Sequence, residues 1–276
     1  MDECFYLSES GNTFLATGAT AGPWDPRFQH GGPPAALITS AIEQRYGDDG
    51  HAVVRLSFEI HRPIPVGRVR TRVETLRGGS RVQLVAAHLS TADGQELMSC
   101  LAWRFPQAQV PLLDQVSPPR GGPGDNGADG RPYTTPPFFE IPHNHGYHKA
   151  MEWRFTEGSW RGLGPAFVWM RMRNVLIDGI EPSPTQRLVV AADSVSGASA
   201  ALDPAVHAFP NVDLTVRLLR EPVGEWIGFD ARSRYSSSGT GWALADIYDD
   251  RGLAGTSAQS LLVAERTTRR LNDEEH

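Results

Sequence analysis

The sequence predicts an α+β fold of two tandem modules, each an antiparallel sheet curled around one helix. Three observations predict it: two segments of the 276-residue chain resemble each other, each contains several stretches in which apolar and polar residues alternate, and each has one helical stretch ahead of them. A Pro- and Gly-rich stretch between the segments cannot sustain a helix or a central strand. We therefore predict an N-terminal module at residues 1–105, a linker at 106–137 and a C-terminal module at 138–276.

The two segments match when one is shifted by 158 positions (220 − 62 = 158). The shift superposes identical residues, for example Leu56 with Leu214, Arg62 with Arg220 and Gly94 with Gly252. Few positions are identical, so the prediction depends on the shared order of helix and strands. Two such modules would pair about a pseudo-twofold axis, as identical subunits do in a dimer.

The first module begins with a strand near residues 12–17 and a helix that starts near Pro33. Proline is well tolerated in the first turn of a helix, and apolar residues follow it at helical spacing. Strands come next, because each stretch alternates or is rich in strand-forming residues: 55–61, 68–76, 81–90 and 96–105. A turn that ends in Gly94 joins the last two strands as a hairpin.

The second module repeats this order. A strand is predicted near residues 166–172, and a helix at 193–202 that begins with Asp193. The apolar residues at alternate positions after it predict a strand with one buried face: Leu214, Val216 and Leu218. A second hairpin turn is predicted at residues 249–252.

Composition and charge limit the classes of function that are expected. Hydrophobic residues make up 40% and charged residues 21%, as in ordinary globular proteins. The net charge is −6 and no Lys/Arg cluster would follow a phosphate backbone, so nucleic-acid binding is not expected. The N-terminus lacks the basic start and apolar stretch of a secretory signal, and no apolar run could span a bilayer, so we expect a cytoplasmic protein without a membrane partner.

Several motifs resemble the acyl-CoA thioesterase II family. In the first half they are HRP at residues 61–63, VETLRGGS at 73–80 and DG at 93–94. In the second half they are AD at 192–193, NVDLT at 211–215 and TSAQ at 256–259. The resemblance covers residues 20–105 and 165–265. It implies a double hotdog fold and hydrolysis of acyl-CoA, or a similar acyl thioester, with no metal or redox cofactor.

The same resemblance implies a catalytic site. In this family an Asp, a Ser or Thr and a Gln hold and polarise the attacking water. The Asp falls on Asp193, which would be the general base, and the Gln falls on Gln259. The Ser/Thr position falls on Asn211, a departure, although an Asn side chain also donates and accepts hydrogen bonds. Thr215 is a weaker candidate for that role.

The internal repeat gives a second reason to expect the site in the second module. Moved back by 158 positions, the three polar residues have apolar counterparts: Ala35, Val53 and Leu101. A duplicated site that keeps its chemistry in one copy is expected to show this pattern. A structural alternative remains for Asp193, since Asp at a helix start is a common cap. As a cap it would also be favoured in its charged form by the helix dipole.

Two further features are a glycine pair in the first module and a histidine cluster in the second. Gly31 and Gly32 precede the first helix, where backbone N–H groups could stabilise an oxyanion; the alternative is a tight turn in which His30 is an ordinary polar residue. The cluster His143, His145 and His148 has partial metal-ligand spacing, but exposed loop histidines are the favoured interpretation.

Two other functions remain open. A non-catalytic acyl-thioester-binding protein would retain the fold with a decayed site, as Asn211 allows. A hotdog hydratase or dehydratase would need a His–Asp or His–Glu pair at the helix start, and His30 is the histidine that could serve. Exposed sheet edges make a homo-oligomer a further expectation.

Overall fold

A computed structural model describes residues 4–108, 122–123, 145–160 and 162–266. It contains four α-helices: α1 (Gly32–Tyr46), α2 (Tyr147–Ala150), α3 (Pro184–Ala192) and α4 (Val195–Ala198). The strands of the first half are β1 (Cys4–Ser8), β2 (Thr13–Ala16), β3 (His51–Ile60), β4 (Arg68–Arg77), β5 (Gln83–Thr91) and β6 (Glu96–Pro106). Those of the second half are β7 (Met151–Ser159), β8 (Gly162–Met172), β9 (Val175–Ile177), β10 (His207–Ala208), β11 (Asp213–Leu218), β12 (Ile227–Tyr235), β13 (Thr240–Asp249), β14 (Gly252–Leu262) and β15 (Ala264–Glu265).

Thirteen of these strands form one sheet, in the order β7-β8-β12-β13-β14-β11-β3-β6-β5-β4-β2-β1-β9. Neighbouring strands are antiparallel, except that β1 and β9 pair in parallel. The remaining strands, β10 and β15, form a separate two-stranded sheet. The predicted strands and both predicted hairpins are present, which confirms the antiparallel meander in each half.

The two halves meet where β3 pairs with β11. At the centre of this pair Ser57 lies opposite Thr215, and their positions differ by 158 (215 − 57). The Thr215 hydroxyl donates a hydrogen bond to Ser57 Oγ over 3.3 Å. The strand register therefore joins the halves at residues related by the same shift that relates their sequences.

Helices α1 and α3 pack against each other and against the sheet. α1 contacts β4, β5 and β6, and α3 contacts β8, β11 and β12. The helices lie close together at Gly32, where a Cβ atom would lie 2.1 Å from the Val190 carbonyl oxygen. The buried side chains of both halves join in one apolar core, to which Leu56 and Val216 contribute from the two central strands.

The second predicted helix is placed wrongly. α3 ends at Ala192, and Asp193 follows it as the C-terminal cap residue, with the short α4 beginning two residues later. The helix starts instead at Ser183, whose hydroxyl accepts a hydrogen bond from the Gln186 N–H over 3.1 Å, followed by Pro184 in the first turn. Asp193 therefore does not cap a helix start. The dipole of α3 does not stabilise the charge of Asp193, because the C-terminal end of a helix is the negative end of its dipole.

The structure does not test two other predictions, the module boundaries and the homo-oligomer. Most of the predicted linker at 106–137 lies outside the described residues, so the module boundaries stay predictions. The homo-oligomer also stays a prediction. In the described part of the chain, no helix has the length and apolar character needed to cross a membrane.

Candidate active site

A cavity of about 590 Å³ lies where the start of α1 meets the end of α3. Both halves of the chain line it. At its polar end are His30, Gly31, Asp193 and Asn211. The rest of the wall is rich in aromatic side chains: Trp24, Phe28, Tyr147, Trp153, Trp160 and Phe209. An apolar cavity with a few convergent polar groups is typical of a small-molecule site.

The structure brings Asp193, Asn211 and Gln259 together. The buried Asp193 carboxylate accepts hydrogen bonds at Oδ1 from Asn211 Nδ2 (2.7 Å) and from Gln259 Nε2 (3.2 Å). The sheet explains their proximity, because the Asn211 backbone bridges Leu261 of β14, two residues beyond Gln259 on the same face of that strand.

The orientation of the Asn211 amide is determined by its partners. Its Nδ2 donates to Asp193 Oδ1 and to the Asp213 carbonyl oxygen (3.0 Å), and both are acceptors only. Its Oδ1 makes no hydrogen bond to any described residue, and Asn211 lines the cavity. Asn211 can therefore hold Asp193 and still accept a hydrogen bond from a water molecule.

Gln259 takes a different position from the one expected. It is 2% exposed and does not line the cavity. Its Nε2 also donates to the Asp193 carbonyl oxygen (3.0 Å), and its Oε1 accepts from the Ser196 N–H (3.1 Å). Gln259 therefore holds the Asp193 carboxylate and backbone from a position that does not line the cavity. Thr215 does not line the cavity either, and its hydroxyl bonds to Ser57.

His30 faces the other oxygen of Asp193. Its Nδ1 lies 3.1 Å from Asp193 Oδ2. The imidazole stacks on the Tyr147 ring at 3.7 Å between centroids and 4° between planes. Burial lowers the pKa of His30, and the charge of Asp193 opposes that change. No local pattern in the sequence links His30 or Tyr147 to Asp193, so the sequence does not predict either residue as a partner of that carboxylate.

Tyr147 is held firmly beneath the imidazole. Its hydroxyl lies 2.8 Å from both the Val190 carbonyl oxygen, to which it donates, and Ser194 Oγ. Burial raises the pKa of Tyr147, so the phenol stays neutral and keeps its proton for these contacts. Tyr147 thus fixes the His30 ring relative to the end of α3.

The two glycines at the start of α1 have different surroundings. A Cβ atom at Gly31 would lie 2.8 Å from Asp193 Oδ2, so a larger residue would displace the carboxylate. The Gly31 N–H donates no hydrogen bond to any described residue, and Gly31 lines the cavity. Gly32 packs against α3 and is absent from the cavity wall, although its N–H lies 3.2 Å from His30 Nδ1.

The mouth of the cavity carries positive charge. Arg62 and Arg266 line the cavity and are exposed, and neither forms an ion pair with a described carboxylate. The Arg266 guanidinium lies over the Trp24 ring, 5.1 Å from its centroid. These side chains could bind an anionic group that enters the cavity.

The histidine cluster gives no metal site in the described residues. His143 lies outside them, whereas His145 and His148 are described. Across the described part of the chain, no group of three or more His, Cys, Asp or Glu side chains is arranged to hold a metal ion.

Solved structures share the fold. A hot dog fold protein of unknown function from Alicyclobacillus acidocaldarius matches with a TM-score of 0.71 and 18% identity, over 95% of this chain and 97% of that one. The tesB protein of Mycobacterium avium subspecies paratuberculosis matches at 0.65 and 16%, over 93% and 95%. Acyl-CoA thioesterase II TesB2 of Mycobacterium marinum matches at 0.63 and 16%, over 95% of each chain. At these identities the likeness shows the hotdog fold alone.

Family models give the assignment. The acyl-CoA thioesterase N-terminal domain matches residues 20–105, and the acyl-CoA thioesterase C-terminal domain matches residues 119–263. A comparison with curated protein sequences finds no significant match. The C-terminal model alone spans more than half of the chain, and it contains Asp193, Asn211 and Gln259. The chain therefore belongs to the acyl-CoA thioesterase family.

Proposed function

We propose that this protein hydrolyses acyl-CoA, or a similar acyl thioester, to a free acid and a thiol by direct attack of a water molecule. One observation carries the proposal: Asp193, Asn211 and Gln259 form a single hydrogen-bonded group at the polar end of an aromatic-lined cavity. Membership of the acyl-CoA thioesterase family supports the reaction class.

Each part of the site would have a role in this reaction. Asn211 Oδ1 would accept a hydrogen bond from the attacking water, and the negative charge of the Asp193 carboxylate would favour removal of a proton from that water. Gln259 keeps Asp193 in position. The Gly31 N–H at the start of α1 would stabilise the oxyanion that forms from the thioester carbonyl.

From the thioester carbonyl, the substrate would extend in two directions, with the acyl group on one side and CoA on the other. The aromatic walls suit the acyl group, because apolar cavity walls exclude water from it. The exposed Arg62 and Arg266 suit the phosphates of CoA at the mouth, because guanidinium groups bind phosphate well.

We also propose that the chain is a double hotdog with the module boundaries given above. The supporting observation is the β3–β11 pair, which brings shift-related residues opposite each other at Ser57 and Thr215. An antiparallel pair that crosses a pseudo-twofold axis has this property. In this arrangement α1 and α3 are the two central helices.

A thiol-release assay with acyl-CoAs of different chain lengths tests the function. We expect the wild-type protein to release thiol, and Asp193→Ala to reduce kcat about 10²- to 10⁴-fold, the usual contribution of acid–base catalysis. Asp178→Ala, which removes an exposed carboxylate outside the cavity, is the matched control and should leave kcat unchanged. Unchanged thiol release in a folded Asp193→Ala variant would refute the mechanism. Acyl-CoA binding without any thiol release by the wild type would instead favour a non-catalytic binding protein.

A hydratase is the second candidate, because the His–Asp pair that it needs is present at the start of α1. Incubation with a 2-enoyl-CoA separates the two reactions. Hydration consumes the conjugated double bond and retains the thioester, whereas hydrolysis releases the thiol.

A further inference from the structure

We propose that His30 Nε2 is the atom that takes the proton from the attacking water, and that Asp193 acts by orienting the His30 imidazole. This inference rests on the proposed hydrolysis and adds a catalytic side chain from the first half of the chain to Asp193, Asn211 and Gln259 of the second half. It makes Asp193 a positioning residue in this reaction.

The hydrogen bonds of Asp193 favour this division of roles. Oδ1 accepts from Asn211 and Gln259, and Oδ2 faces His30 Nδ1. The carboxylate is therefore approached by three nitrogen atoms and is 5% exposed. A carboxylate so surrounded is well placed to hold a partner and poorly placed to receive a water molecule of its own.

The position of the proton on His30 follows from its neighbours. Nδ1 lies 3.1 Å from Asp193 Oδ2 and 3.2 Å from the Gly32 nitrogen. One ring nitrogen cannot both donate to the carboxylate and accept from Gly32. A negative oxygen at this distance favours the proton on Nδ1, which leaves a lone pair on Nε2. The Gly32 N–H is then without an acceptor in the described residues, beside the Gly31 N–H.

The remaining nitrogen is available for chemistry. His30 lines the cavity, and its Nε2 makes no hydrogen bond to any described residue. The stacked Tyr147 ring prevents the imidazole from tilting. Burial lowers the pKa of His30, so the imidazole is neutral, as a base must be, down to a lower pH than an exposed histidine.

Hydrolysis would take two steps, attack of the water and loss of the thiol. One O–H bond of the water breaks as its proton moves to Nε2, and the oxygen forms a bond to the thioester carbonyl carbon. The carbonyl electrons become an oxyanion beside the Gly31 N–H. When this intermediate collapses, the C–S bond breaks, and the imidazolium returns its proton to the departing thiolate. The acid and the thiol are the products, and His30 is neutral again.

The decisive variant is His30→Asn. Its side-chain amide can occupy the place of Nδ1 and still donate to Asp193, but it has no atom in the place of Nε2. We expect kcat for acyl-CoA hydrolysis to fall at least about 10²-fold with little change in KM, since only the proton acceptor is lost. Added imidazole should partly restore kcat in His30→Ala, where the space of the ring is empty.

The pH profile provides a readout that a structural role would not change. The acidic limb of kcat in the wild type should follow the lowered pKa of His30, with activity lost as the pH falls through it, and His30→Asn should lose that limb. Asp193 and Tyr147 contact the ring, and the other titratable or charged groups of the cavity stay unchanged in this variant: Asp25, His61, Arg62, His148 and Arg266.

The outcomes separate the two proposals. Wild-type kcat and an unchanged acidic limb in a folded His30→Asn variant would overturn the role of His30 and leave the hydrolase intact. A wild-type protein that releases no thiol would overturn the proposed function, and this inference with it. Equal thermal unfolding midpoints of the variant and the wild type establish that the variant is folded.

Discussion

Single glycines determine how closely the elements of the site approach each other. Gly32 allows α1 to lie against the Val190 carbonyl of α3, and Gly31 allows the start of α1 to lie against the Asp193 carboxylate. Neither glycine has a positive φ, so the absence of a Cβ atom, not backbone freedom, is what the structure uses. The site therefore depends on two residues that carry no functional group.

Gly32→Ala should destabilise the fold, because its Cβ atom would lie 2.1 Å from the Val190 carbonyl oxygen and force the helices apart. We expect the free energy of unfolding to fall by about 1–3 kcal/mol, the usual cost of overpacking. Denaturant titration measures this loss. Gly67→Ala is the matched control, since a Cβ atom there would meet no other part of the described chain within 4 Å. If Gly32→Ala and Gly67→Ala had equal free energies of unfolding, the helices would separate without a loss of stability, contrary to this prediction.

Helices α1 and α3 also share a buried acidic contact. Glu43 of α1 accepts hydrogen bonds from Ser183 Oγ (2.9 Å) and Gln186 Nε2 (2.5 Å) at the start of α3. Burial raises the pKa of Glu43, although both hydrogen bonds oppose the rise. The contact therefore secures one end of the helix pair, whose other end carries both His30 and Asp193, and the charge of Glu43 reduces its benefit.

The raised pKa of Glu43 predicts a pH dependence of stability. In the unfolded chain the carboxyl ionises near 4.5, whereas in the folded protein it ionises at higher pH. The contribution of Glu43 to the free energy of unfolding should therefore fall as the pH rises from about 4.5 through the folded-state pKa, and then level off. Denaturant titration across the pH range measures this contribution as the difference between the wild type and Glu43→Gln. Glu59→Gln, at an exposed position, should show no such difference from the wild type; a Glu43→Gln difference that does not change with pH would contradict the assignment.

The two halves of the molecule share one sheet and one apolar core. β3 and β11 join the two halves in one sheet, and one apolar core includes the buried faces of both strands. The cavity draws on both halves, with His30 from the first and Asp193 from the second. Catalysis as proposed therefore requires that the halves stay together.

Leu56→Ala tests this continuity. Leu56 is fully buried on β3 opposite Val216 of β11, so its truncation should reduce the free energy of unfolding by about 2–5 kcal/mol. Because the core is shared, circular dichroism and tryptophan fluorescence should report one common transition. Leu219→Ala, at a position 71% exposed, should cost little. Two separate transitions in the wild type would show that the halves unfold independently.

The strands were predictable because alternation of apolar and polar residues is a local property. Leu56 and Phe58 on β3, and Leu214 and Val216 on β11, are buried as their alternation predicts. The second helix was misplaced because Asp193 was interpreted as its cap. The better signal was also local, namely Ser183 followed by Pro184, a cap and a first-turn proline.

Local pattern was enough to predict the strand order along the chain and the start of the first helix, and family resemblance singled out Asp193, Asn211 and Gln259, whose catalytic roles stay predictions. The positions of His30, Tyr147 and Gln259 around Asp193 followed from the folded protein alone. His30 and Asp193 are 163 residues apart in sequence (193 − 30), and their contact depends on the packing of α1 against α3. Such contacts arise from distances in space, which residue spacing along a chain does not specify.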